Sequence, residues 1–288
     1  MAKAGLLFVG TDDGLVLFSN PNEIGRWLRI GQPFRGTAVT AVWAAPENPL
    51  LVLAAVAGQG VQRSEDGGQS WQVLFDWPAA AIAGAANGPG FIRTDDGVYE
   101  SPDRGANWQL QPLDGPAGPL AVAGGAAATV GGAQVFARDA AGVWAPFGAA
   151  LPGRAASLAL LPHLPGELRA VLGETLYACA SADAAWVAQT GAPVARGALA
   201  TLPGKSSALL LALADGGIAR SDDLGASWAQ TFPEGAIDVI MPASYHVDVA
   251  FAGGEAGALL MTSDRGRSWQ EVKAGLPPIR SIAAARLL

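Results

Sequence analysis

The sequence predicts an all-β fold made of seven similar units, and three observations support this prediction. Seven of the nine tryptophans recur at spacings of 36 to 44 residues: Trp27, Trp71, Trp108, Trp144, Trp186, Trp228 and Trp269. No segment shows helical periodicity beyond one or two turns. The 38 glycines and 20 prolines interrupt the chain at short intervals. A period of about 41 residues is typical of a four-stranded blade. We therefore expect residues 1–288 to form one domain, a seven-bladed β-propeller with antiparallel blades.

The second unit shows how one blade follows from the sequence. Residues 38–44 are predicted as the inner strand, which Pro46 ends because proline cannot donate to a strand ladder. Apolar residues at 50–57, 60–64 and 71–75 predict the second, third and outer strands. Short turn-forming segments separate these three strands.

The two ends of the chain are predicted to complete one blade. The first unit begins with its second strand, at residues 6–9, and lacks an inner strand. Residues 279–287 form an inner strand with no unit after it. Pairing these two segments would close the ring and remove an open sheet edge.

Four of the repeated tryptophans end the same eight-residue pattern. It has Ser or Thr first, Asp third, Gly fifth, and Ser or Asn seventh. The first, third, fifth and eighth residues are Ser64, Asp66, Gly68 and Trp71; Ser101, Asp103, Gly105 and Trp108; Ser221, Asp223, Gly225 and Trp228; and Thr262, Asp264, Gly266 and Trp269. A carboxylate here can accept the N–H groups of a tight turn, and glycine supplies a positive φ. We expect a structural role for these residues.

This pattern resembles the Asp-box, or BNR, repeat of sialidases and related β-propellers. The family pattern is Ser/Thr-x-Asp-x-Gly-x-Ser/Thr-Trp, and Asn107 is the one departure in the four copies. The chain is also similar in repeat number and length to seven-bladed photosystem II stability and assembly factors. The resemblance implies a scaffold role. It also implies that functional groups lie opposite the boxes, on the face formed by the loops before each inner strand and between the second and third strands.

Composition argues against several functional classes. The 18 basic and 25 acidic residues give a net charge of −7, which is not the basic footprint of a nucleic-acid binder. No apolar run approaches the ~20 residues that span a membrane. The single Cys179 excludes an intrachain disulfide, and no Cys or His spacing indicates a metal site or a cofactor. Because the N-terminus lacks a signal-peptide pattern, we expect a cytoplasmic protein, or a mature form whose leader has been removed. We also expect a monomer.

On the face opposite the boxes we expect a rim of charged and aromatic groups. Trp77, followed by Pro78, is the candidate aromatic anchor. The other candidates for binding a partner or ligand are Asp12, Asp95, Arg35, Arg154, Arg196 and Arg280. Further carboxylates on the predicted turns are Asp13, Asp96, Glu174, Asp215 and Glu255.

The matching Thr-Asp-Asp-Gly segments at 11–14 and 94–97 allow two interpretations. Paired carboxylates across a cleft could act as the acid and base of a glycan-acting hydrolase. Asp-Gly between apolar strands is also a common hairpin signal, with carboxylates directed to solvent or to their own backbone. We favour the turn interpretation and predict that these carboxylates do not converge. The preferred function is a non-enzymatic scaffold for a protein or a small polar or glycan ligand, with the hydrolase as the alternative.

Overall fold

The computed structural model describes residues 4–21, 26–85, 88–103, 105–139, 141–161, 166–204 and 206–287. These residues form 28 strands. Blades 1 to 3 are built from β1 (Ala4–Thr11), β2 (Gly14–Pro21), β3 (Leu28–Gly31), β4 (Val39–Ala45), β5 (Asn48–Val56), β6 (Gly60–Ser64), β7 (Gln72–Phe75), β8 (Ala81–Gly84), β9 (Gly90–Thr94), β10 (Gly97–Ser101) and β11 (Gln109–Pro112), with one further strand. Blades 4 and 5 are built from β12 (Ala117–Ala123), β13 (Ala126–Gly131), β14 (Gln134–Arg138), β15 (Trp144–Phe147), β16 (Ala155–Leu160), β17 (Leu168–Leu172), β18 (Thr175–Cys179) and β19 (Val187–Ala188). Blades 6 and 7 are built from β20 (Ala195–Leu202), β21 (Ala208–Leu213), β22 (Ile218–Ser221), β23 (Ala229–Phe232), β24 (Val239–Pro242), β25 (Ala250–Gly253), β26 (Leu259–Thr262) and β27 (Gln270–Lys273).

The further strand is β28 (Ile279–Leu287), which is the inner strand of blade 1. It pairs antiparallel with β1, and the sheet order is β28-β1-β2-β3. The other six sheets each contain four consecutive antiparallel strands, so the seven-bladed propeller and its closure by the last strand are confirmed. The described residues contain no helix long and apolar enough to cross a membrane.

The hydrophobic core lies in the seams between blades. Each inner strand contacts the inner strands of its two neighbours, which closes the ring. Seven clusters of buried side chains occupy the seven seams, for example the cluster around Phe8 and Val52 between blades 1 and 2. Burial of β5 and β21 on both faces follows from this stacking, because each sheet lies between two others.

The four octapeptides form equivalent turns between third and outer strands, which we call the box turns (64–71, 101–108 without Arg104, 221–228 and 262–269). In the first of them, Ser64 Oγ donates to Asp66 Oδ1 at 2.8 Å and accepts the N–H of Gly68 at 2.8 Å. The carboxylate of Asp66 also accepts the N–H of Ser70 at 2.9 Å and its hydroxyl at 2.5 Å. The same bonds recur in the other three box turns, except that the side-chain amide of Asn107 replaces the serine hydroxyl as donor to Asp103.

Blades 4 and 5 retain part of this arrangement without the full pattern. In blade 4, Asp139 Oδ1 accepts the N–H of Val143 at 2.8 Å, the bond that each box aspartate makes four residues ahead. In blade 5, the buried Cys179 takes the place of the first hydroxyl, and its Sγ lies 3.2 Å from the carbonyl oxygen of Ser181. Burial raises the pKa of the Cys179 thiol, which favours the neutral, unreactive form.

Candidate functional site

The face opposite the box turns is formed by two sets of loops, and we call it the mouth face. One set joins second to third strands, and the other joins each outer strand to the next inner strand. Backbone bonds tie the two sets together: the N–H of Gly217 donates to Gly235 O and that of Ala195 to Glu174 O, both at 2.8 Å. The inner strands all begin on this face, so it surrounds one mouth of the central channel.

Carboxylates outnumber guanidinium groups on the mouth face. Its loops and the first two residues of its inner strands carry eleven acidic side chains: Asp12, Asp13, Asp76, Asp95, Asp96, Asp114, Glu174, Asp215, Glu234, Asp238 and Glu255. The same segments, all of them described, carry four basic side chains: Arg35, Arg154, Arg196 and Arg280. The face is therefore strongly acidic.

Bulges at the start of inner strands place side chains at the channel mouth. In β28, Ile279 and Ser281 pair with Thr11 and Gly10, so Arg280 between them has no partner on β1. In β20, Ala195 pairs with Leu213 and Leu199 with Leu211, which leaves residues 196–198 opposite one residue. Similar bulges leave Thr40 and Ala156 unpaired with the second strand. A bulge interrupts the alternation of side chains between the two faces of a sheet. The residues at these bulges are exposed: Thr40, Ala156, Arg196 and Arg280.

Arg280 forms an ion pair with Asp12 within blade 1. Its Nε donates to Asp12 Oδ1 at 2.7 Å and its Nη2 to Oδ2 at 2.6 Å. These hydrogen bonds lower the pKa of Asp12 and raise that of Arg280, and the charges of Asp238 and Glu255 add to the shift at Arg280. Asp12 therefore stays ionised, and Arg280 lies within electrostatic range of the carboxylates of blade 7.

Arg196 links blade 6 to two carboxylates of blade 7. Its Nε donates to Asp238 Oδ1 at 2.9 Å, and its Nη2 lies 3.4 Å from Glu255 Oε2. The second oxygen of Asp238 accepts the N–H of Glu255 at 2.9 Å. The Arg196 and Asp238 side chains are 31% and 28% exposed, whereas Glu255 is 68% exposed. Asp238 is thus fully engaged, while Glu255 keeps a carboxylate oxygen open to a ligand.

A cavity of about 350 Å³ lies beside this ion pair, where the inner strands of blades 5, 6 and 7 begin. Its walls are mainly small or apolar, and Arg196 and Asp238 carry its charged groups. The lining residues are Ala156, Ser157, Arg196, Gly197, Ala198, Leu199, Asp238, Val239 and Ile240. The hydroxyl of Ser157 donates to the carbonyl oxygen of Gly197 at 2.5 Å, which holds the β20 bulge against β16.

The remaining predicted binding residues lie elsewhere on the mouth face. Arg35 is exposed and its Nε donates to Gln32 Oε1 at 3.2 Å. Arg154 is exposed, with no ion-pair partner among the described residues. Trp77 is half-buried and stacks on Phe75 and Tyr99, with ring centroids 4.1 and 4.5 Å apart. Arg196 lines the cavity and Arg280 lies at the bulge that begins β28, whereas these three residues do not line the cavity.

The two Asp-Asp-Gly turns differ from their predicted geometry. Thr11 pairs with Gly14, so Asp12 and Asp13 form the turn and Gly14 is the first residue of β2, with φ 96°. The expectation that these carboxylates face solvent or their own backbone is wrong for Asp12, which binds Arg280. It is also wrong for Asp13, which accepts the N–H of Gly36 at 2.6 Å.

Asp95 behaves like Asp13 and not like Asp12. Its Oδ1 accepts the N–H of Ala117 at 2.8 Å, at the entry to blade 4. Both Asp13 and Asp95 therefore connect a turn of one blade to the loop that begins the next. Their carboxylates stabilise seams between blades, because the turn places them beside free backbone N–H groups.

Sequence reasoning missed two residues. Asp238 immediately precedes an inner strand, a position at which only arginines and Trp77 were considered. Arg93, in β9, is completely buried, and its guanidinium donates to the carbonyl oxygens of Gly97 at 2.9 Å and Val130 at 3.1 Å. Burial lowers the pKa of Arg93, and the charge of Asp95 opposes this shift. A single arginine within a strand gives no sequence signal that it hydrogen-bonds to backbone carbonyl groups of two blades.

No metal site is visible in the part of the chain that the structure describes, since no three His, Cys, Asp or Glu side chains are grouped there as ligands. At the mouth face, the acidic side chains instead bind arginines and backbone N–H groups. These observations define the chain as a seven-bladed β-propeller with an acidic, bulge-built channel mouth.

No protein-family model and no curated protein matches the chain, whereas solved structures do. YCF48 bound to a D1 peptide is 19% identical, with a TM-score of 0.59 and 82% of each chain covered. YCF48 from Cyanidioschyzon merolae is 14% identical, with a TM-score of 0.62 over 87% of this chain and 90% of that one. A GH74 enzyme from Niastella koreensis is 16% identical, with a TM-score of 0.52, over 93% of this chain and 43% of the enzyme. At these identities the similarity shows the fold alone.

Proposed function

We propose that this protein is a non-enzymatic binding module that holds a segment of another protein at the mouth of its central channel. The observation that carries the proposal is the cavity of about 350 Å³ beside Arg196 and Asp238. Concave sites with mainly apolar walls and a few fixed polar groups are typical of ligand-binding pockets. That a propeller of the same fold, YCF48, has been solved with a D1 peptide supports a polypeptide ligand.

Two further features support binding over catalysis. The carboxylates of Asp12 and Asp238 are occupied by Arg280 and Arg196, which leaves neither free to act as an acid. The lowered pKa of Asp12 is the opposite of what a proton donor near neutral pH requires.

We also infer that the box turns are Asp-box repeats, and that the protein acts as a cytoplasmic monomer.

The test is selection of a random twelve-residue peptide library on the whole protein, followed by affinity measurements on two matched variants. Ala156→Trp fills the cavity from an exposed bulge position, and Ala106→Trp places the same ring on an exposed box turn. We expect enriched peptides to bind Ala156→Trp at least about tenfold more weakly, and Ala106→Trp unchanged. Failure to enrich any peptide, or equal binding to both variants, would refute the proposal.

A further inference from the structure

We propose that the channel-mouth cavity receives the side chain of a lysine or arginine from a basic protein segment. This inference rests on the proposed function and names the chemistry of its ligand. It follows from three features of the mouth: the excess of carboxylate charge around Arg196, the walls of the cavity, and the charge of the surrounding face.

The first feature is the balance of charge at the cavity rim. Arg196 is neutralised by Asp238 at 2.9 Å, and Arg280 by Asp12 at 2.6 Å. Arg196 also pairs with Glu255, whose Oε2 lies 3.4 Å from its Nη2 and whose side chain is 68% exposed, so two carboxylates share one guanidinium and one negative charge is in excess. A cation bound here would gain a partner without displacing either ion pair, whereas an anion bound to Arg196 or Arg280 would have to compete with Asp238 or Asp12.

The second feature is the combination of apolar walls and a carboxylate rim. Ala156, Ala198 and Val239 line the cavity together with Asp238. Glu255 lies beside it, with its Oε2 3.4 Å from Nη2 of the lining residue Arg196. Lysine and arginine side chains have an apolar stem and a charged head, so they bury the stem against such walls while the head reaches the rim. A short acidic side chain would place its charge beside Glu255, which is unfavourable.

The third feature is the field of the whole mouth face. Its carboxylates outnumber its guanidinium groups, so a basic segment is attracted from a distance and an acidic one is repelled. The fold and the position at the channel do not specify the sign of the ligand's charge. We infer a positive charge from Glu255 and from the surrounding carboxylates.

The experiment uses three synthetic glycine–serine peptides of fifteen residues, with three central arginines, glutamines or glutamates. Their affinities for the whole protein are measured by fluorescence anisotropy at low and at physiological salt. We expect the arginine peptide to bind at least about tenfold more tightly than the glutamine peptide at low salt, with the glutamate peptide weakest.

Variants separate recognition at the cavity from general attraction to the face. Glu255→Gln should weaken the arginine peptide by about fivefold, and Glu255→Lys should shift preference toward the glutamate peptide. Asp215→Asn removes an exposed carboxylate of the same face outside the cavity, and it should change affinity by less than about twofold. Equal losses in Glu255→Gln and Asp215→Asn would overturn the cavity assignment.

The library selection distinguishes failure of this inference from failure of the proposed function. Enriched peptides rich in lysine or arginine, and weakened by Ala156→Trp, support both. Enriched peptides that are acidic or uncharged, yet still weakened by Ala156→Trp, overturn the inference and leave the binding function intact. A selection that enriches nothing overturns both.

Discussion

Arg280 and Asp12 lie 268 positions apart in the chain, and the guanidinium of one binds both carboxylate oxygens of the other. The pair joins the turn after the first strand to the bulge at the start of the last strand. It therefore marks the point where the propeller closes, and it also neutralises an arginine at the channel mouth. Closure of the ring and the chemistry of the mouth depend on the same contact.

Deleting residues 279–288 should prevent formation of a stable monomer. The deletion removes β28, whose Ile279 and Ile282 are fully buried. It leaves β1 without its pairing partner in blade 1, and β4 without contact to the inner strand of that blade. We expect a loss of about 5 kcal/mol or more, together with association through the exposed edges. Thermal unfolding and light scattering measure both effects. A truncated chain that remains monomeric with the same melting temperature would contradict the closure argument.

Arg93→Ala should destabilise the seam between blades 3 and 4. The change leaves the buried carbonyl oxygens of Gly97 and Val130 without their donor and opens a cavity in the core. We expect a loss of about 3 kcal/mol or more in the free energy of unfolding, measured by urea denaturation. The exposed Arg154 is the control, and Arg154→Ala should stay within about 0.5 kcal/mol of the original chain. Equal stability of the two variants would show that Arg93 is dispensable.

Much of the fold could be predicted because the tryptophan spacing gives the length of the repeated unit, and therefore the number of blades. The predicted closing strand 279–287 agrees with β28 at both ends, and the predicted third strand 60–64 agrees with β6. Repetition made this possible, since each unit supplies an independent copy of the same strand and turn signals.

The site was less predictable, because its geometry depends on departures from the repeat. Arg196 reaches Asp238 and Glu255 through a bulge of three residues at 196–198, and no local pattern indicates its length. Asp12 and Asp13 have the same residue type in one turn, yet one binds a side chain and the other a backbone N–H. Which contact forms depends on the neighbouring strand, which the local sequence does not specify.

Two neighbouring substitutions in the third box turn should change stability in opposite directions. Leu224 has φ 61°, a conformation that costs L-residues free energy, and Gly67 occupies the same position in the first box turn. Leu224→Gly should stabilise by up to about 1 kcal/mol, whereas Gly225→Ala, at φ 103°, should destabilise by about 1–2 kcal/mol. Urea denaturation measures both, and a loss of stability in Leu224→Gly would show that its side-chain packing outweighs the strain.

The four box aspartates should make the protein sensitive to acid between about pH 4 and pH 2. Hydrogen bonds from Ser70 lower the pKa of Asp66 from 3.8 to about 2, and equivalent bonds do the same at Asp103 and Asp223. At Asp264 burial is the largest single influence and raises the pKa, but the hydrogen bonds from Ser268, Thr262 and Arg267 together outweigh it, and the pKa is again about 2. A lowered pKa stabilises the folded state above the unfolded value, and this stabilisation is lost as pH falls through the folded value.

The urea midpoint should therefore fall steeply between pH 4 and pH 2. Asp223→Asn should lower the midpoint at pH 7 and remove part of the decline, because one titrating group is gone. Asp183→Asn, at an exposed aspartate of blade 5 outside the box turns, should do neither. An unchanged decline in Asp223→Asn would contradict the stabilising role of the aspartate in its box turn.

The last prediction concerns catalysis, and it separates the binding module from the glycan-acting hydrolase. A glycosidase needs two carboxyl groups about 5 to 10 Å apart on one cleft, one of them protonated near neutral pH. Asp12 is held ionised by Arg280, and Asp95 accepts the N–H of Ala117 at a separate seam. A panel of aryl glycosides that includes a sialoside should therefore show no turnover above background. Turnover that disappears in Asp12→Asn or Asp95→Asn would overturn the binding interpretation. The same samples test the predicted aromatic anchor. The Trp77 ring stacks on Phe75 and Tyr99, so Trp77→Ala should lower the melting temperature. If Trp77 is also the predicted anchor, Trp77→Ala should weaken peptide binding even at temperatures where the variant is fully folded.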